Sequence, residues 1–297
     1  MYREWRAHII LFITSLIQGF NFSIAKMVMP AYVLPGAIIV IRGMCAIAFF
    51  WTVSTLFCPE KVASRKDLGR IFLCSFFGIA INQLLFYKGL SLTQPINASL
   101  MVTVSPVAVL LISVFSGKER INIFKISGIA IGAIGVVCLL LDSNKKSPDA
   151  LFIGDIMILI NAMSYGAFLV LVKPLMERYH PFTVLKWMFL FGFFMVLPFG
   201  FQGVLKIEWA SMPFKALGAL AFIIVFATFI TYSLNVAVMK RINPSLAGIY
   251  IYLQPLMAAI VAISLGKDML TLSKLLFSVM ILMGVFLVSK GEKKGLL

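Results

Sequence analysis

The residues best able to do chemistry are polar groups stranded in apolar surroundings. Arg42 and Lys26 are cations inside, or at the end of, long apolar runs, and Lys88 stands at a comparable depth. A guanidinium withdrawn from water must have its lost hydration offset, so such a cation is a candidate for gripping an anionic group such as a carboxylate. The competing reading of Arg42 is snorkelling. It lies seven residues after Pro35, which at ~1.5 Å per residue is roughly 10 Å along a helix, within reach of a long side chain returning to water. Asn21, Asn82, Gln83, Tyr87, Asn161, Tyr165, Asn235, Tyr250, Tyr252 and Gln254 add neutral donors and acceptors. Each either joins helices through a hydrogen bond worth about 1 kcal/mol or touches a ligand. Gln83 and Tyr87, four apart, share a helix face, and Tyr250 and Gln254 repeat that spacing.

Catalysis is a poor fit to this set. Hydrolytic or metal-assisted chemistry needs convergent acids, bases or ligands, yet the chain has two histidines, His8 and His180, with no HExxH, GxSxG or paired carboxylates in its apolar runs. Cys45, Cys58, Cys74 and Cys138 show no CxxC spacing and no pairing with either histidine, and read as reduced packing residues. Asp155 opens an apolar run, while Glu119 and Asp268 fall at the ends of others and read as interfacial anchors. A buried carboxylate of the kind used for proton or sodium coupling is therefore not evident. No metal or cofactor is expected.

The elements that must position these groups are membrane helices. Charged residues make up 12% of 297, hydrophobic ones 61%, and the mean hydropathy is +1.03, against about a quarter charged in a soluble protein. Apolar runs of about twenty residues fit helices, whereas β-barrel strands alternate over roughly ten. Spans are expected near Ile9–Met29, Gly36–Phe57, Leu68–Tyr87, Ile96–Phe115, Ile123–Leu141, Ile153–Val172, Thr183–Val204, Phe214–Val238, Leu246–Leu265 and Leu272–Val288. Cys58-Pro59, Asp142–Pro148 and Asn243-Pro244 supply turns between them. The net charge of +15 sits in these short loops, which argues for membrane orientation and against nucleic acid. With a cytoplasmic N-terminus, seventeen Lys and Arg fall on the inner side and eight on the outer, leaving only Arg42 within a span. Both termini are accordingly expected in the cytoplasm.

Pro106 and Pro255 fall near the middles of two spans, where each removes a backbone donor and bends the helix. They read either as packing kinks or as broken helices lining a central cavity. They also belong to a pattern. A shift of 149 residues superimposes Pro95 on Pro244, Ala98 on Ala247, Pro106 on Pro255, Gly117-Lys118-Glu119 on Gly266-Lys267-Asp268, Lys125 on Lys274 and Gly135 on Gly284. A shift of 147 brings Gly19 onto Gly166 and Lys26 onto Lys173. The chain reads as a duplicated five-helix unit, residues 1–142 and 150–292. An odd number of crossings turns the second copy over, and inverted repeats are the architecture of alternating-access carriers. Arg3 and Arg6 before the first apolar run, with Ser23-Ile24-Ala25 after it, resemble a signal peptide, but cleavage would delete the partner of the sixth span. Gly128, Gly132 and Gly135 line one face of the fifth span, for tight packing on a neighbour or self-association.

The stretch Leu85–Glu119 and its echo Lys240–Asp268, with Gly19-Phe20-Asn21, Lys26, Arg42 and Gly154-Asp155, resembles the drug/metabolite transporter superfamily in its ten-helix EamA-type branch. The resemblance covers nearly the whole chain. It departs at Gln18, where a Trp commonly precedes the Gly, and at Asp268, which stands for a Glu. It implies an all-α integral membrane protein of ten helices in two inverted repeats, with a central cavity between the halves. The implied function is secondary transport of a small polar metabolite, an amino acid or related carboxylate, commonly as export across the inner (plasma) membrane. Efflux of cationic compounds is the alternative, and a non-transporting membrane protein the third. The partners expected are that metabolite and the lipid bilayer, with the chain a monomer or weak homodimer.

The orientation is open to direct measurement. Lys145→Cys and Lys206→Cys, each made in a cysteine-free background, are expected to react with an impermeant thiol reagent from outside the cell. Reaction only from the cytoplasm would reverse the topology.

Overall fold

A computed structural model describes residues 2–115, 122–146, 150–239 and 253–294. Every regular element among them is helical: α1 (Tyr2–Val28), α2 (Pro35–Phe57), α3 (Arg65–Leu92), α4 (Pro95–Val102), α5 (Ser105–Phe115), α6 (Ile123–Lys146), α7 (Ala150–Arg178), α8 (Pro181–Leu205), α9 (214–239), α10 (Leu253–Ser264) and α11 (Leu272–Lys294), with one 3₁₀ turn at Trp209–Ser211. Eight stretches, counting α4 with α5 as one, are long and apolar enough to cross a membrane; Leu253–Ser264 and Leu272–Val288 are shorter apolar helices. The third and sixth spans outrun the expected Leu68–Tyr87 and Ile153–Val172, because polar ends such as Arg65-Lys66-Asp67 and Glu177-Arg178 continue the helix beyond the apolar window.

Local chemistry explains the boundaries. Proline opens α2, α4 and α8, where its missing N–H belongs to the unpaired first turn. The Ser64 hydroxyl caps α3 by accepting from the Lys66 amide, and Gly266, at φ +62°, closes α10 in the left-handed conformation with Lys267 N–H donating to the Ala262 carbonyl. Of the two readings of Pro106, a kink in a continuous helix or a broken one, the helix here is broken. The chain breaks at Thr103-Val104, one turn ahead of Pro106, where the proline supplies no N–H to the preceding turn. The carbonyl of Val102, deprived of the Pro106 amide, accepts the Ser105 hydroxyl at 2.6 Å. Pro255 is buried near the described start of α10; Pro244, Ala247 and Gly117-Lys118-Glu119 lie outside the described residues.

Two π-helical segments interrupt the long helices, Phe76–Ile81 in α3 and Val225–Ile230 in α9. They are 149 residues apart, the offset of the sequence repeat. Helix pairings repeat in the same way: α2 packs on α8, α6 on α11, α1 on α9 and α10, and α7 on α3 and α5. A Cβ at Gly19 would meet Met257 of α10 at 2.5 Å, and one at Gly166 would meet Ala108 of α5 at 2.7 Å, two contacts between corresponding positions. Gly128 and Gly132 face Gly284 of α11 within the same chain, which is the tight-packing reading of that stripe. Large side chains such as Phe57, Phe115, Phe199 and Phe286 point outward, as a lipid-facing surface requires, while the core gathers α1, α2, α4, α9 and α11.

The tightest glycine contact among the described residues joins α2 to α8, where a Cβ on Gly200 would lie 2.1 Å from the Gly36 carbonyl oxygen, whereas one on Gly218 meets nothing within 4 Å. Gly200→Ala should destabilise the protein by about 1–3 kcal/mol through overpacking against backbone, while Gly218→Ala should be neutral or gain up to ~1 kcal/mol from helix propensity. Unfolding of the two variants in detergent, measured side by side, checks the contrast.

Candidate functional site

Arg42 projects inward from α2 and is 6% exposed. Its Nη1 donates to Gln83 Oε1 and, at 2.9 Å, to the Tyr87 hydroxyl, both on α3; its Nε donates to the Thr228 hydroxyl, and its Nη2 to the Ala227 carbonyl at 3.3 Å, both on α9. Snorkelling is therefore not what this side chain does. Every acceptor is neutral, and no carboxylate lies within 4 Å of the guanidinium among the described residues. Gln83 in turn donates to the Tyr232 hydroxyl at 3.2 Å, so the corresponding positions 83 and 232 touch each other.

The π segments make this geometry possible. A π turn widens the helix and loosens its regular ladder, leaving carbonyls for other donors. Ala227 O serves Arg42, Thr228 and Thr231 turn their hydroxyls back to Ile223 O and Phe226 O, and Phe77 O accepts Ser164 Oγ from α7 at 2.6 Å. Just beyond the first π segment, Asn82 and Asn161 exchange reciprocal bonds, each amide nitrogen donating to the other's backbone carbonyl, at 3.3 and 2.7 Å. A cavity of about 10 Å³ lies against Arg42 and Gln83, walled by Ile39, Ile79, Phe189 and Phe193. That is about one water-sized sphere. Beside it stand stacked rings: Phe49 on Phe229 at 4.4 Å, Phe50 on Phe189 at 5.1 Å, and Tyr232 edge-on to Phe189 at 5.2 Å.

Of the other expected site residues, Asn21 is buried on α1 and its Oδ1 has no hydrogen-bond partner. Tyr165 packs on Phe168 within the same aromatic cluster as Tyr232. Asn235 and Gln254 are half-buried on α9 and α10, and the backbone oxygen of Gln254 lies close to Gly19. Tyr250 and Tyr252 lie outside the described residues, and Lys88 is exposed. Lys26 does not join Arg42. Its ammonium donates to the Thr93 carbonyl at the α3–α4 turn.

That turn is a second polar centre. The Thr93 hydroxyl donates to Asp155 Oδ1, and Asn97 Nδ2 to Asp155 Oδ2 at 3.3 Å, so Asp155, 0% exposed, ties α7 to both ends of the turn. Asp268 corrects the interfacial-anchor expectation. It is buried, accepting the Ile96 amide at 3.1 Å and the Lys274 ammonium at 2.5 Å, and Lys274 also reaches Gln94 at 2.5 Å. The reason is that Asp268 neutralises the unpaired amides opening α4 as well as a lysine. At the other end, Cys58 Sγ lies 3.6 Å from His180 Nε2, a Cys–His encounter that spacing does not foretell, since 122 residues separate them. No group of three or more metal-capable side chains exists among the described residues.

Comparison with known proteins agrees with this architecture. The pattern of the EamA-like transporter family matches residues 5–141 and again residues 152–290, so two EamA repeats are present. The chain is similar to an uncharacterized transporter of Archaeoglobus fulgidus, 23% identical over 286 residues, 96% of this chain and 98% of the other. It is similar to the uncharacterized transporter YoaV of Bacillus subtilis, 23% identical over 232 residues, 77% of this chain and 78% of the other. The WAT1-related protein At4g30420 of Arabidopsis thaliana is 30% identical over 154 residues, 43% of this chain and 41% of its own. One crystal structure superposes with a TM-score of 0.65 at 17% identity, covering 96% of this chain and 97% of that one, which shows a shared fold.

The Asp268–Lys274 pair invites a double-mutant test. Asp268→Asn strands a buried ammonium and should cost about 3–5 kcal/mol, whereas Asp268→Asn with Lys274→Met should recover much of that loss. Unfolding of the wild-type protein, both single variants and the double variant in detergent gives the coupling.

Proposed function

Because the chain belongs to the EamA-like transporter family, we propose that it is a secondary carrier for a small carboxylate-bearing metabolite, an amino acid or close relative. It works by alternating access and runs outward across the plasma membrane, with both termini cytoplasmic. Ten spans form two five-helix halves, 1–142 and 150–292, of opposite orientation. Supporting this, Lys26 near the end of α1 and Asp155 near the start of α7 converge on Thr93, as counterparts running in opposite directions would. The 149-residue spacing of the π segments and the Gln83–Tyr232 contact support a crevice between corresponding faces.

The observation that carries the substrate class is Arg42. A buried guanidinium served only by neutral acceptors gains more from a carboxylate than from any of them, since charged pairs bond about twice as strongly. In the closed arrangement Gln83, Tyr87 and Thr228 occupy the donors; when the halves part, the substrate carboxylate replaces them. Asn21, Asn82, Asn161, Tyr165, Asn235, Tyr250 and Gln254 read the remaining polar groups, and Lys26 meets the substrate at the outer end. Pro106 and Pro255 mark the broken helices whose ends move. A pocket for such a ligand measures hundreds of Å³, so the ~10 Å³ beside Arg42 belongs to a closed state. Efflux of cationic compounds is the second reading, favoured by the rings of Phe49, Phe229, Phe50 and Phe189, whose faces attract cations.

In proteoliposomes loaded with an amino-acid panel, saturable counterflow is expected, and Arg42→Gln should lower transport efficiency about ten- to a hundredfold, the loss of one charged hydrogen-bonded contact. Lys88→Gln, an exposed charge, should leave flux unchanged. Flux of a cationic dye with none for any amino acid would sink the carboxylate reading in favour of the second.

A further inference from the structure

A larger cavity, about 430 Å³, opens at the far end of α2 from Pro35, between the 58–64 loop, the start of α3 and the first turns of α8. It is separate from the Arg42 centre and shares no lining residue with it. Its walls carry three cations, Lys61, Arg65 and Lys186, and one carboxylate, Glu60. Glu60 is engaged, accepting the His180 amide at 2.8 Å.

Lys186 is the unusual member. It is 7% exposed, yet its ammonium contacts only the Glu60 backbone carbonyl at 3.4 Å and the face of Trp51 at 5.4 Å, with no carboxylate within 4 Å among the described residues. A long hydrogen bond and one ring face are weak return for burying an ammonium, which is ordinarily paired with an anion. Lys61 and Arg65, exposed at the rim, likewise have no ion pair among the described residues. Trp51, edge-on to Trp187 at 5.4 Å, lines the wall, and its indole N–H is buried with no hydrogen-bond partner. A guanidinium and two ammonium groups line one cavity whose single carboxylate, Glu60, is already held by the His180 amide.

We propose that this cavity binds a phosphate-bearing anion, the phosphodiester headgroup of an anionic lipid or a soluble phosphate ester of similar size. Arg65 and Lys61 close over the phosphate from the rim, Lys186 holds it from below, and the Trp51 ring walls the cavity. Paired tryptophans at a span end mark the headgroup level of a bilayer, and Leu56 and Phe57 beside the cavity are turned outward, where acyl chains lie. In the proposed orientation the cavity faces the cytoplasmic leaflet, whose anionic lipids basic clusters attract.

The test reads binding and needs no flux, so it stands or falls apart from the carrier assignment. Purified full-length protein is exchanged into mixtures of phosphatidylglycerol and phosphatidylcholine, and retained lipid is counted by native mass spectrometry. Wild-type protein should retain phosphatidylglycerol at least fivefold over phosphatidylcholine. Lys61→Ala with Arg65→Ala, both at exposed positions, should bring the ratio near one, and Lys66→Ala, an adjacent charge outside the cavity, should preserve it. No lipid preference, but thermal stabilisation by millimolar glycerol phosphate that the double variant loses, identifies the soluble ester as the source. Equal retention of both lipids without such stabilisation, or a preference the double variant keeps, overturns the site.

Discussion

The structure turns on one buried guanidinium. Arg42 sits inside an apolar bundle, with no carboxylate within 4 Å among the described residues, and is kept there by four neutral acceptors drawn from α3 and α9. An ion so placed is tolerable only while most of its five donors are occupied, here four of them, which makes α2, α3 and α9 converge at one depth. Two of the four acceptors, Thr228 and Ala227 O, come from a π segment, and Gln83 and Tyr87 follow the other within a few residues. The irregular backbone and the buried charge are thus one feature: the widened turns present groups to the guanidinium that a regular helix would keep in its own ladder.

Around that centre the fold is built from backbone contacts that only glycine permits. Gly36 against Gly200, Gly128 and Gly132 against Gly284, and Gly19 and Gly166 against α10 and α5 let helices approach until their backbones touch. In lipid this matters more than in water, because apolar side chains gain little by meeting each other and close packing must supply the association. The Gly19 and Gly166 contacts recur at the repeat offset, and Gly135 and Gly284 do so across α6 and α11, whereas Gly36 against Gly200 has no counterpart. The charge is not duplicated: the position 147 residues beyond Arg42 is Phe189, whose ring walls the cavity. A twofold scaffold carries a one-sided site.

The two ends of the bundle are fastened differently. At the α3–α4 turn, carboxylates do the fastening, Asp155 through Thr93 and Asn97, and Asp268 through Lys274 and the α4 amides. At the opposite end Asp67 holds Arg178 and Tyr179, while in the basic cavity beside it the one carboxylate, Glu60, is engaged by the His180 amide and no ion pair to Lys61, Arg65 or Lys186 forms among the described residues. One end is electrostatically closed on itself. The other leaves three cations on the wall of an open cavity.

Hydropathy was enough for the helical class and the bounds of most spans, because the cost of an unpaired backbone group in lipid leaves helices as the one solution for runs of this length. Spacing was enough for the repeat and for the shared face of Gln83 and Tyr87, since helical periodicity is local. What waited for tertiary structure was every pairing between distant helices. Thr228 and the Ala227 carbonyl as ligands of Arg42, the burial of Asp268, the meeting of Cys58 with His180 and the cavity under Trp51 depend on the rotation and depth at which one helix meets another. Those are set by packing summed over many side chains, and no single residue type or spacing announces them. The two π segments stand between these cases: their 149-residue separation was implicit in the repeat, but the widened turn is a backbone adjustment that composition does not mark.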